Sequence, residues 1–311
     1  MDPNQTTGTE LRVELAHYSL LRASGADARD FLQAQLTSDL RELTPQRSQL
    51  AAWCNAKGRA QVIFRVFERA DGIYLRLPTD LVAFALPRLK MFVLRAKVQL
   101  EDLSANWAAL GVCGETASTG LGELPRATNE AVERDGLTLI RVPGDPERHE
   151  IWGARPDIAA LRGRLQQTDA QCGSIQDWRR LNLAAGLPEI SPETREAFTP
   201  HMLNLDLLGA VSFKKGCYPG QEVVAKTQHR GLAKRRLYSA FCATATLPAP
   251  GARVLTANDQ HAGDVVEAVL GPNKECQLSA VLMLEHARDA DLHLPGSDSS
   301  LRIQTPHYSL E

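Results

Sequence analysis

Apolar and polar positions in the first hundred residues alternate in two ways, one typical of strands and one typical of helices. Residues 20–25 (LLRASG) predict a strand, and the amphipathic run at 27–43 (DARDFLQAQLTSDLREL) predicts a helix. Three more strands are predicted in QLAAWCN, AQVIFRVFE and GIYLRLP, with tight turns at NAKG and RADG between them. A helix capped by Thr79 follows, with a kink or restart at Pro87, and then a strand near 97–100. The region therefore combines helices with an antiparallel meander.

The remaining sequence shows a second α/β stretch and then a change to short strands. A link rich in Gly, Thr and Ser near 114–122 precedes strands at LTLIRVPG and HEIWGA and helices at PDIAALRGRLQQ and IQDWRRLNLAAG. Residues 210–213 (AVSF) predict a strand, KKGCYPG a turn and QEVVAKTQ the start of a helix. From about Tyr238 onward, short apolar runs are separated by Pro, Gly and Asn turns, which is typical of a small barrel or sandwich.

Length and composition favour a protein of two or three folded units. The chain has 311 residues, of which 43% are hydrophobic, so it can bury a sizeable core. A formal net charge of −2 gives no overall attraction to nucleic acid or to an anionic membrane. The polar N-terminus lacks the pattern of a signal peptide, and apolar runs such as 82–86 fall short of the ~20 residues of a membrane span. We therefore expect a soluble protein of the cytoplasm.

Six scattered cysteines include no CxxC pair of the kind that binds zinc or an iron–sulfur cluster: Cys54, Cys113, Cys172, Cys217, Cys242 and Cys276. We expect reduced thiols, most of them buried and inert, and we assign no metal site. Cys217 is distinctive because Lys214 and Lys215 precede it and a predicted helix follows it. Neighbouring cations and the amides of a first helical turn both favour a thiolate. Gly216 and Gly220 permit backbone conformations, or a close approach of a ligand, that a side chain would block.

Two interpretations of Cys217 stay open on these residues alone. In the first it is a reactive thiol. In the second, KKGCYPGQE is a tight strand-to-helix turn whose cysteine packs inward, as single cysteines usually do. His201 and His229 are the nearest histidines in sequence, but no spacing ties either one to Cys217. A cysteine protease or transferase is therefore only weakly indicated.

Positive charge is concentrated around this cysteine. Between positions 214 and 236 one acid, Glu222, stands among seven basic residues: Lys214, Lys215, Lys226, Arg230, Lys234, Arg235 and Arg236. One interpretation is an anion site for carboxylates or phosphates, and the other is a solvated surface. The adjoining turn favours the anion site. Aromatic residues are too sparse here for a platform that stacks single-stranded nucleic acid.

The run FKKGCYPGQEVVAK resembles the K-G-C-Y-x-G-Q-E signature of the YgfZ family. These are folate-binding proteins needed for the activity of certain iron–sulfur enzymes, and they are relatives of the glycine-cleavage T-protein. The resemblance covers essentially the whole chain, through SGADARDFLQAQLTSDL, NAKGR, AAGLPEI, FTPHMLNLDLLGAVSF and PHYSLE.

The resemblance implies an α+β fold of the T-protein type, with two α/β units and a C-terminal β-barrel around a central folate pocket. The folate-binding region would span residues 1–235, with its link near 114–122, and the barrel would span residues 236–311. The cofactor would be tetrahydrofolate or a one-carbon derivative. Cys217 and Lys215 are the candidate catalytic residues. The implied folate-binding residues are Asn55, Lys57, Glu189, Asn204, Tyr218, Gly220, Gln221, Glu222, Lys226 and Arg230.

Two departures from the relatives' patterns bear on the chemistry. The T-protein places an acid in its N-x-x-G-G-x-x-D-D turn, where this chain has Val62 and Ile63. Without that acid, aminomethyl transfer lacks its expected proton-transfer partner. Relatives often have Glu-Ala-Gly where this chain has Ala184, Ala185 and Gly186, so a glutamate that would hydrogen-bond the pterin is missing. Glu189 is the candidate substitute.

The resemblance implies a tetrahydrofolate-binding accessory protein that supports assembly or repair of iron–sulfur clusters. It would affect tRNA modification indirectly, through iron–sulfur methylthiotransferases. Its partners would be reduced folate and, transiently, iron–sulfur client proteins, with no direct contact to nucleic acid or membrane. The alternatives are an aminomethyltransferase and a folate-independent interaction module that has kept the architecture.

Overall fold

The structure, a computed structural model, contains both helices and strands throughout the residues that it describes. These residues are 10–114, 119–165, 171–229, 233–244, 246–271, 275–288, 291–297, 299–304 and 308–309. The strands are β1 (Leu11–Glu14), β2 (Tyr18–Ser24), β3 (Gln49–Cys54), β4 (Ala60–Arg69), β5 (Gly72–Pro78), β6 (Gln99–Asp102), β7 (Trp107–Cys113), β8 (Ala131–Arg134), β9 (Leu137–Val142), β10 (Arg148–Ala154), β11 (Gln171–Cys172), β12 (Arg235–Ala243), β13 (Arg253–Leu255), β14 (His261–Leu270), β15 (Glu275–Met283) and β16 (Arg302–Gln304). The helices are α1 (Ala28–Gln33), α2 (Val82–Met91), α3 (Arg155–Leu165), α4 (Ile175–Ala184) and α5 (Gln221–His229), with 3-10 turns at Leu40–Glu42 and Thr79–Leu81.

Contacts divide the chain into two units, each assembled from three separate segments. The first unit comprises the described parts of Met1–Ala28, Glu42–Gln49 and Arg65–Leu181. The second comprises Arg29–Arg41, Leu50–Phe64 and the described parts of Asn182–Glu311. The predicted boundary at 235/236 stays a prediction.

The first unit is built around a six-stranded sheet in the order β11-β1-β7-β10-β9-β8. Neighbouring strands are antiparallel except for the β1–β11 pair. Helix α4 contributes Trp178, which is completely buried and lies over Gly111 of β7. A Cβ atom at Gly111 would come within 2.7 Å of the indole ring. A glycine on the strand thus makes room for the largest side chain of the helix.

A five-stranded antiparallel sheet has the order β3-β4-β5-β2-β6 and contains the predicted meander. The division between the two units falls within β4, after Phe64. In the first unit, β2 pairs with β5 on one side and with β6 on the other. Helix α2 continues through Pro87, so the helix does not restart there.

The second unit ends in a five-stranded antiparallel sheet in the order β13-β14-β15-β12-β16. Two isolated bridges, Leu255–His293 and His293–Ser300, extend it from its β13 edge. Ser300 lies two positions before β16, which is the opposite edge strand. These pairings bring the sheet back toward its own other edge, as the strands of a small barrel do. Antiparallel sheets combined with helices confirm the predicted α+β class.

Two predictions made for the segments around Thr37 are wrong. The helix predicted over 27–43 ends at Gln33, because Thr37 leaves it and exchanges hydrogen bonds with Ala52 of β3. The strand predicted at 210–213 is not formed, because Ala210 and Ser212 bond to the side chain and backbone of Thr37 rather than to a strand. Thr37 therefore joins the segment after α1 to residues 210–213, and neither segment adopts the structure that its periodicity predicts.

No helix in the part of the chain that the structure describes is both long enough and apolar enough to span a membrane.

Candidate functional site

Cys217 lies in the second unit on an exposed loop, residues 214–220, which we call the signature loop. Within it the side chains of Lys215 and Tyr218 are buried, whereas Gly216 and Cys217 between them are exposed. The thiol is therefore presented to solvent by a loop that is anchored on both sides. The interpretation in which Cys217 packs inward is wrong.

The first anchor is the ammonium group of Lys215. Its Nζ atom donates three hydrogen bonds to backbone carbonyl oxygens at the end of α1 and just beyond it: Gln33 at 2.6 Å, Leu36 at 2.6 Å and Ser38 at 2.7 Å. Carbonyl groups at the end of a helix have no partner within the helix and need one from elsewhere. Burial lowers the pKa of Lys215 to about 8, and the nearby carboxylate of Asp39 opposes that shift. All three ammonium protons serve the fold.

The second anchor is Tyr218, whose ring lies 5.4 Å from the Lys215 Nζ atom. The side chain is 6% exposed, and burial raises the pKa of its phenol. Its hydroxyl oxygen is buried and has no hydrogen-bond partner among the described residues. Tyr218 thus holds the loop by packing and by a cation–π contact rather than by a hydrogen bond.

The loop ends against the NAKG turn that joins β3 to β4. Gly220 has a φ of +78°, and a Cβ atom there would collide with the Asn55 carbonyl oxygen and lie 2.6 Å from the Cα of Gly58. The Asn55 side chain accepts hydrogen bonds from the amides of Lys57 and Arg59 and so fixes the turn. Only glycine satisfies both the backbone conformation and the close approach at position 220.

Helix α5 begins four residues after Cys217. The amide of Gln221 donates to the carbonyl of Tyr218, and the amides of Val223 and Val224 donate to that of Gly220. Three first-turn amides are therefore satisfied within the loop and helix. They are not directed at the thiol, as a helix starting at Cys217 would have placed them.

Gly216 differs from Gly220 in what surrounds it. A Cβ atom at Gly216 would meet no heavy atom within 4 Å among the described residues. Its φ is not among the positive values that favour glycine. Nothing in the described structure requires a glycine at this position, which lies next to the exposed thiol.

Most of the described basic residues around the loop already have acidic or carbonyl partners. Four are engaged by acceptors of the same unit: Lys215 by backbone carbonyls, Lys226 by Glu222 at 2.5 Å, Arg235 by Asp264 at 3.8 Å and Arg236 by Asp206 at 2.7 Å. Lys214 and Lys234 are exposed, and Arg230 lies outside the described residues. The pair between Glu222 and Lys226 is fully solvated, and it lowers the pKa of Glu222.

Asn204 is buried and has a left-handed backbone with φ of +57°. Its amide donates to the Leu237 carbonyl at 2.9 Å and to the Tyr308 hydroxyl at 3.1 Å, and its oxygen accepts from the Leu237 amide. The side chain is thus committed to joining its turn to β12. Glu189 is half-buried in the segment after α4, and Gln221 is half-buried at the start of α5.

The histidines have separate environments. His201 is buried, its Nε2 atom lies 3.2 Å from the Gln228 oxygen of α5, and burial lowers its pKa. A neutral imidazole donating from Nε2 fits that contact. The side chain of His229 lies outside the described residues.

Val62 and Ile63, which replace the acid of the T-protein turn, are buried in β4. Their side chains belong to an apolar interior, which leaves no room for a solvated carboxylate at these positions. Ala184, where the relatives have a glutamate, ends α4 and is half-buried.

Two of the six cysteines, Cys172 and Cys217, are exposed, and the other four are buried. The expectation that most thiols are buried is therefore confirmed. Within the described ranges, no group of three or more His, Cys, Asp or Glu side chains is placed to hold a metal ion.

The described residues fit a folate in part. Lys57, on the turn that contacts Gly220, and Lys214, on the signature loop, have exposed side chains that can meet the glutamate carboxylates of the tail. For the pterin, the sequence predicted Glu189, which is half-buried, whereas the Asn204 amide is bonded to Leu237 and Tyr308 and the side chains of Val62 and Ile63 are apolar. Four cavities of about 580, 400, 420 and 380 Å³ lie in the first unit, and none of these four is lined by the signature loop.

Sequence reasoning missed the segment that receives the Lys215 ammonium group, residues 33–38. No local signal marked it, because the amphipathic run from Asp27 contains no glycine that could end a helix in the usual left-handed conformation. Its carbonyl groups needed a donor from a distant part of the chain. The sequence did not indicate which donor.

The chain is 32% identical over 311 residues to the tRNA-modifying protein YgfZ of Klebsiella pneumoniae (strain 342), a match that covers 96% of this chain and 92% of the relative. It is 30% identical over 304 residues to the protein of the same name from Escherichia coli (strain SMS-3-5), covering 96% and 93%. The Colwellia psychrerythraea (strain 34H) protein of that name is 29% identical over 312 residues, with the same coverage. No family model matches the chain.

Among solved structures, the glycine cleavage system aminomethyltransferase T from Bartonella henselae superimposes with a TM-score of 0.76. The superposition covers 96% of this chain and 86% of that one, at 17% sequence identity. This likeness confirms the predicted T-protein type of fold.

Proposed function

Because the chain belongs to the family of the tRNA-modifying YgfZ proteins, we propose that it is an accessory protein that sustains tRNA modification through Cys217. In this proposal it binds tetrahydrofolate or a one-carbon derivative and supports assembly or repair of iron–sulfur clusters in client enzymes such as methylthiotransferases. Its effect on tRNA is indirect, through those clients, and its contacts with them are transient.

The observation that carries the proposal is the exposure of the Cys217 thiol on a loop fixed by buried anchors. Lys215 and Tyr218 point inward and Gly220 is locked against the NAKG turn, so the loop positions the sulfur with little freedom of its own. A pre-positioned exposed thiol suits a group that must meet a reactant bound to another protein. The open space at Gly216 leaves the approach to the sulfur clear.

Folate enters the proposal as a ligand held by exposed lysines and a half-buried glutamate of the second unit. Lys57 and Lys214 would bind the carboxylates of the glutamate tail, and Glu189 would accept from the pterin. When bound, the folate supplies or accepts a one-carbon unit. The chain's own part is to hold that ligand by charge and hydrogen bonding while Cys217 stays accessible.

An aminomethyltransferase is the second candidate, and the fold alone favours it. The buried valine and isoleucine at positions 62 and 63 oppose it, because they leave the reacting nitrogen without an acid or base at that point. The proposal therefore assigns the fold a binding role and not this transfer reaction.

The test is complementation of a bacterial strain from which the YgfZ gene has been deleted. Wild-type protein is expected to restore methylthio-modified nucleosides in bulk tRNA, measured by liquid chromatography and mass spectrometry. Cys217→Ala is expected to restore less than a tenth of that level, because the exposed sulfur is lost while the buried anchors are kept.

Cys172→Ala is the matched control, since Cys172 is the other exposed cysteine of the described chain and lies in the first unit. It is expected to restore the nucleosides fully. Full restoration by Cys217→Ala, at equal protein level, would show that the signature loop has only a structural role.

A further inference from the structure

Cys242 and Cys276 face each other across two neighbouring strands of the C-terminal sheet. Strands β12 and β15 run antiparallel without a register shift, and Cys242 is the direct partner of Cys276. Side chains of directly opposed residues lie on the same face of a sheet. Both side chains are buried in one hydrophobic core, at 3% and 0% exposure.

The spacing of this pair is compatible with a disulfide bond. The Leu284 amide donates to the Lys234 carbonyl at 3.0 Å, which makes that pair hydrogen-bonded. Alternation along the ladder makes Cys242 and Cys276 hydrogen-bonded too, with Cα atoms about 5.5 Å apart. Disulfides span Cα separations of about 4.4–6.8 Å.

The two thiols already interact. The interaction of the two side chains lowers the pKa of Cys242 and raises that of Cys276, and the Cys276 sulfur also lies 3.9 Å from the Gln277 carbonyl oxygen. One member of the pair is thus favoured as the thiolate, which is the nucleophilic form of cysteine. Burial opposes the charged form of both.

Access to the pair is through the end of the ladder. Cys242 is the second-last residue of β12, and Cys276 is the second residue of β15. A single further pair, Ala243–Glu275, closes this end, and the Ala243 and Glu275 side chains are exposed and half-buried respectively. Ladder ends open locally at much lower free energy than strand centres. A small oxidant can reach the sulfurs during such opening.

We propose that Cys242 and Cys276 form a redox-active dithiol that closes to an intramolecular disulfide when hydrogen peroxide is present. The Cys242 thiolate attacks one peroxide oxygen, the O–O bond breaks, and the released hydroxide takes up the proton lost by that thiol to give water. The Cys276 thiol then displaces the sulfenic hydroxyl group of Cys242. The S–S bond forms, the S–O bond breaks, and a second water carries away the thiol proton. Two electrons pass from the two sulfurs to the peroxide oxygens.

The other four cysteines lack this arrangement. In their sheets, Cys113 is paired with Leu11 and Arg148, and Cys172 with Arg12. Cys54 is buried at the end of β3, where burial raises its pKa to about 12. Cys217 is an exposed loop residue. Cys54 and Cys113 therefore serve as internal controls for burial without a paired thiol.

The test is peroxide treatment of the full-length chain, followed by alkylation with N-ethylmaleimide under denaturing conditions, proteolysis and mass spectrometry. We expect a linked peptide that joins Cys242 to Cys276 and returns to two alkylated peptides after reduction. Both sites are expected to lose alkylation together, whereas Cys54 and Cys113 stay alkylated. A Cys172→Ser/Cys217→Ser chain is expected to give the same linked peptide without intermolecular products.

Single variants show whether the two thiols act as a pair. In Cys242→Ser, Cys276 is expected to remain fully alkylated after peroxide. In Cys276→Ser, Cys242 is expected to stop at the sulfenic acid, which dimedone traps, and to form no linked peptide. Alkylation of both cysteines in the wild-type chain, under conditions that oxidise the exposed Cys172, would overturn the proposal. So would a linked peptide that joins either one to a different cysteine of the same chain. Both outcomes are read from the wild-type protein and do not depend on the folding of a variant.

Discussion

At the scale of single residues, Lys215 shows how a buried charge can be held without a carboxylate in direct contact. Its ammonium group is surrounded by three backbone carbonyl oxygens at 2.6–2.7 Å and by the Tyr218 ring. Peptide dipoles at the end of a helix carry partial negative charge, so they replace part of the hydration that the cation loses. In many helices a glycine near the C-terminus lets backbone amides bond the last carbonyl groups. Here the Lys215 ammonium group is the donor to carbonyl groups at and after the end of α1. Because Lys215 belongs to the signature loop, these bonds also fix the position of the loop that carries Cys217.

Lys215→Met keeps much of the side-chain volume and removes the three donors. Carbonyl oxygens of residues 33–38 would lose a charged partner in a buried setting, so we expect a loss of about 2 kcal/mol in the free energy of unfolding. The measurement is urea denaturation followed by tryptophan fluorescence. Lys214→Met is the matched control, because Lys214 is the exposed neighbour, and it should change stability by less than about 0.5 kcal/mol. Equal effects of the two variants would contradict the anchoring role.

At the scale of secondary-structure elements, two turns fix where α5 begins. The NAKG turn is set by the Asn55 side chain, and the end of the signature loop lies directly against it. Glycine residues stand at both sides of that contact, with Gly58 at a φ of +68° and Gly220 at +78°. Because neither glycine has a side chain, the backbones of the NAKG turn and of the signature loop come into direct contact. This contact fixes the position at which α5 begins.

Gly220→Ala tests this contact. Alanine at this position would have to adopt the left-handed backbone conformation of Gly220, which residues with a side chain rarely do. Its Cβ atom would also collide with backbone atoms of Asn55 and Gly58. We expect a loss of about 2 kcal/mol or more in the free energy of unfolding, measured in urea.

Gly216→Ala is the matched control for that variant, since it places the same methyl group in open space four residues away. Its stability should stay within about 0.5 kcal/mol of the wild type. A destabilisation of Gly216→Ala comparable with that of Gly220→Ala would mean that general loop rigidity, and not the contact with the NAKG turn, determines the effect.

Local patterns predicted elements well where local forces determine them. The β3–β5 meander, helix α5 and the C-terminal strands follow from alternation and turn residues, and all are present. The early end of α1 could not be predicted from local sequence. The carbonyl group of its last residue, Gln33, is bound by Lys215, which lies 182 positions away in the chain. The segment at 210–213 has strand-like composition but is held by the side chain of Thr37. In both cases a distant hydrogen bond outweighs local propensity.

At the scale of the whole molecule, the sequence predicted the fold more completely than the ligand site, and it left open whether Cys217 is exposed. The T-protein type of fold follows from motifs spread over the chain, and the superposition confirms it. The folate-binding residues stay a prediction. Several of them, such as Asn204 and Lys226, have partners within the second unit that only three-dimensional contacts reveal. A motif shows that a residue matters and does not show whether it contacts a ligand or supports the fold.

Binding of reduced folate to the whole chain is the prediction on which the ligand proposal depends. Isothermal titration calorimetry with tetrahydrofolate and with its triglutamate form should show binding of both, with the triglutamate tighter by about tenfold. The reason is that added carboxylates gain exposed cations such as Lys57, each charge contact being worth about 1 kcal/mol at low salt. Lys57→Ala should weaken the binding of both ligands, and that of the triglutamate more, which removes most of the difference between them. Lys90→Ala, which changes an exposed lysine of α2 in the first unit, should leave both affinities unchanged.

Absence of heat with either folate would favour the interaction module. Equal affinities for the two forms would instead mean that the tail of the folate does not lie near the NAKG turn.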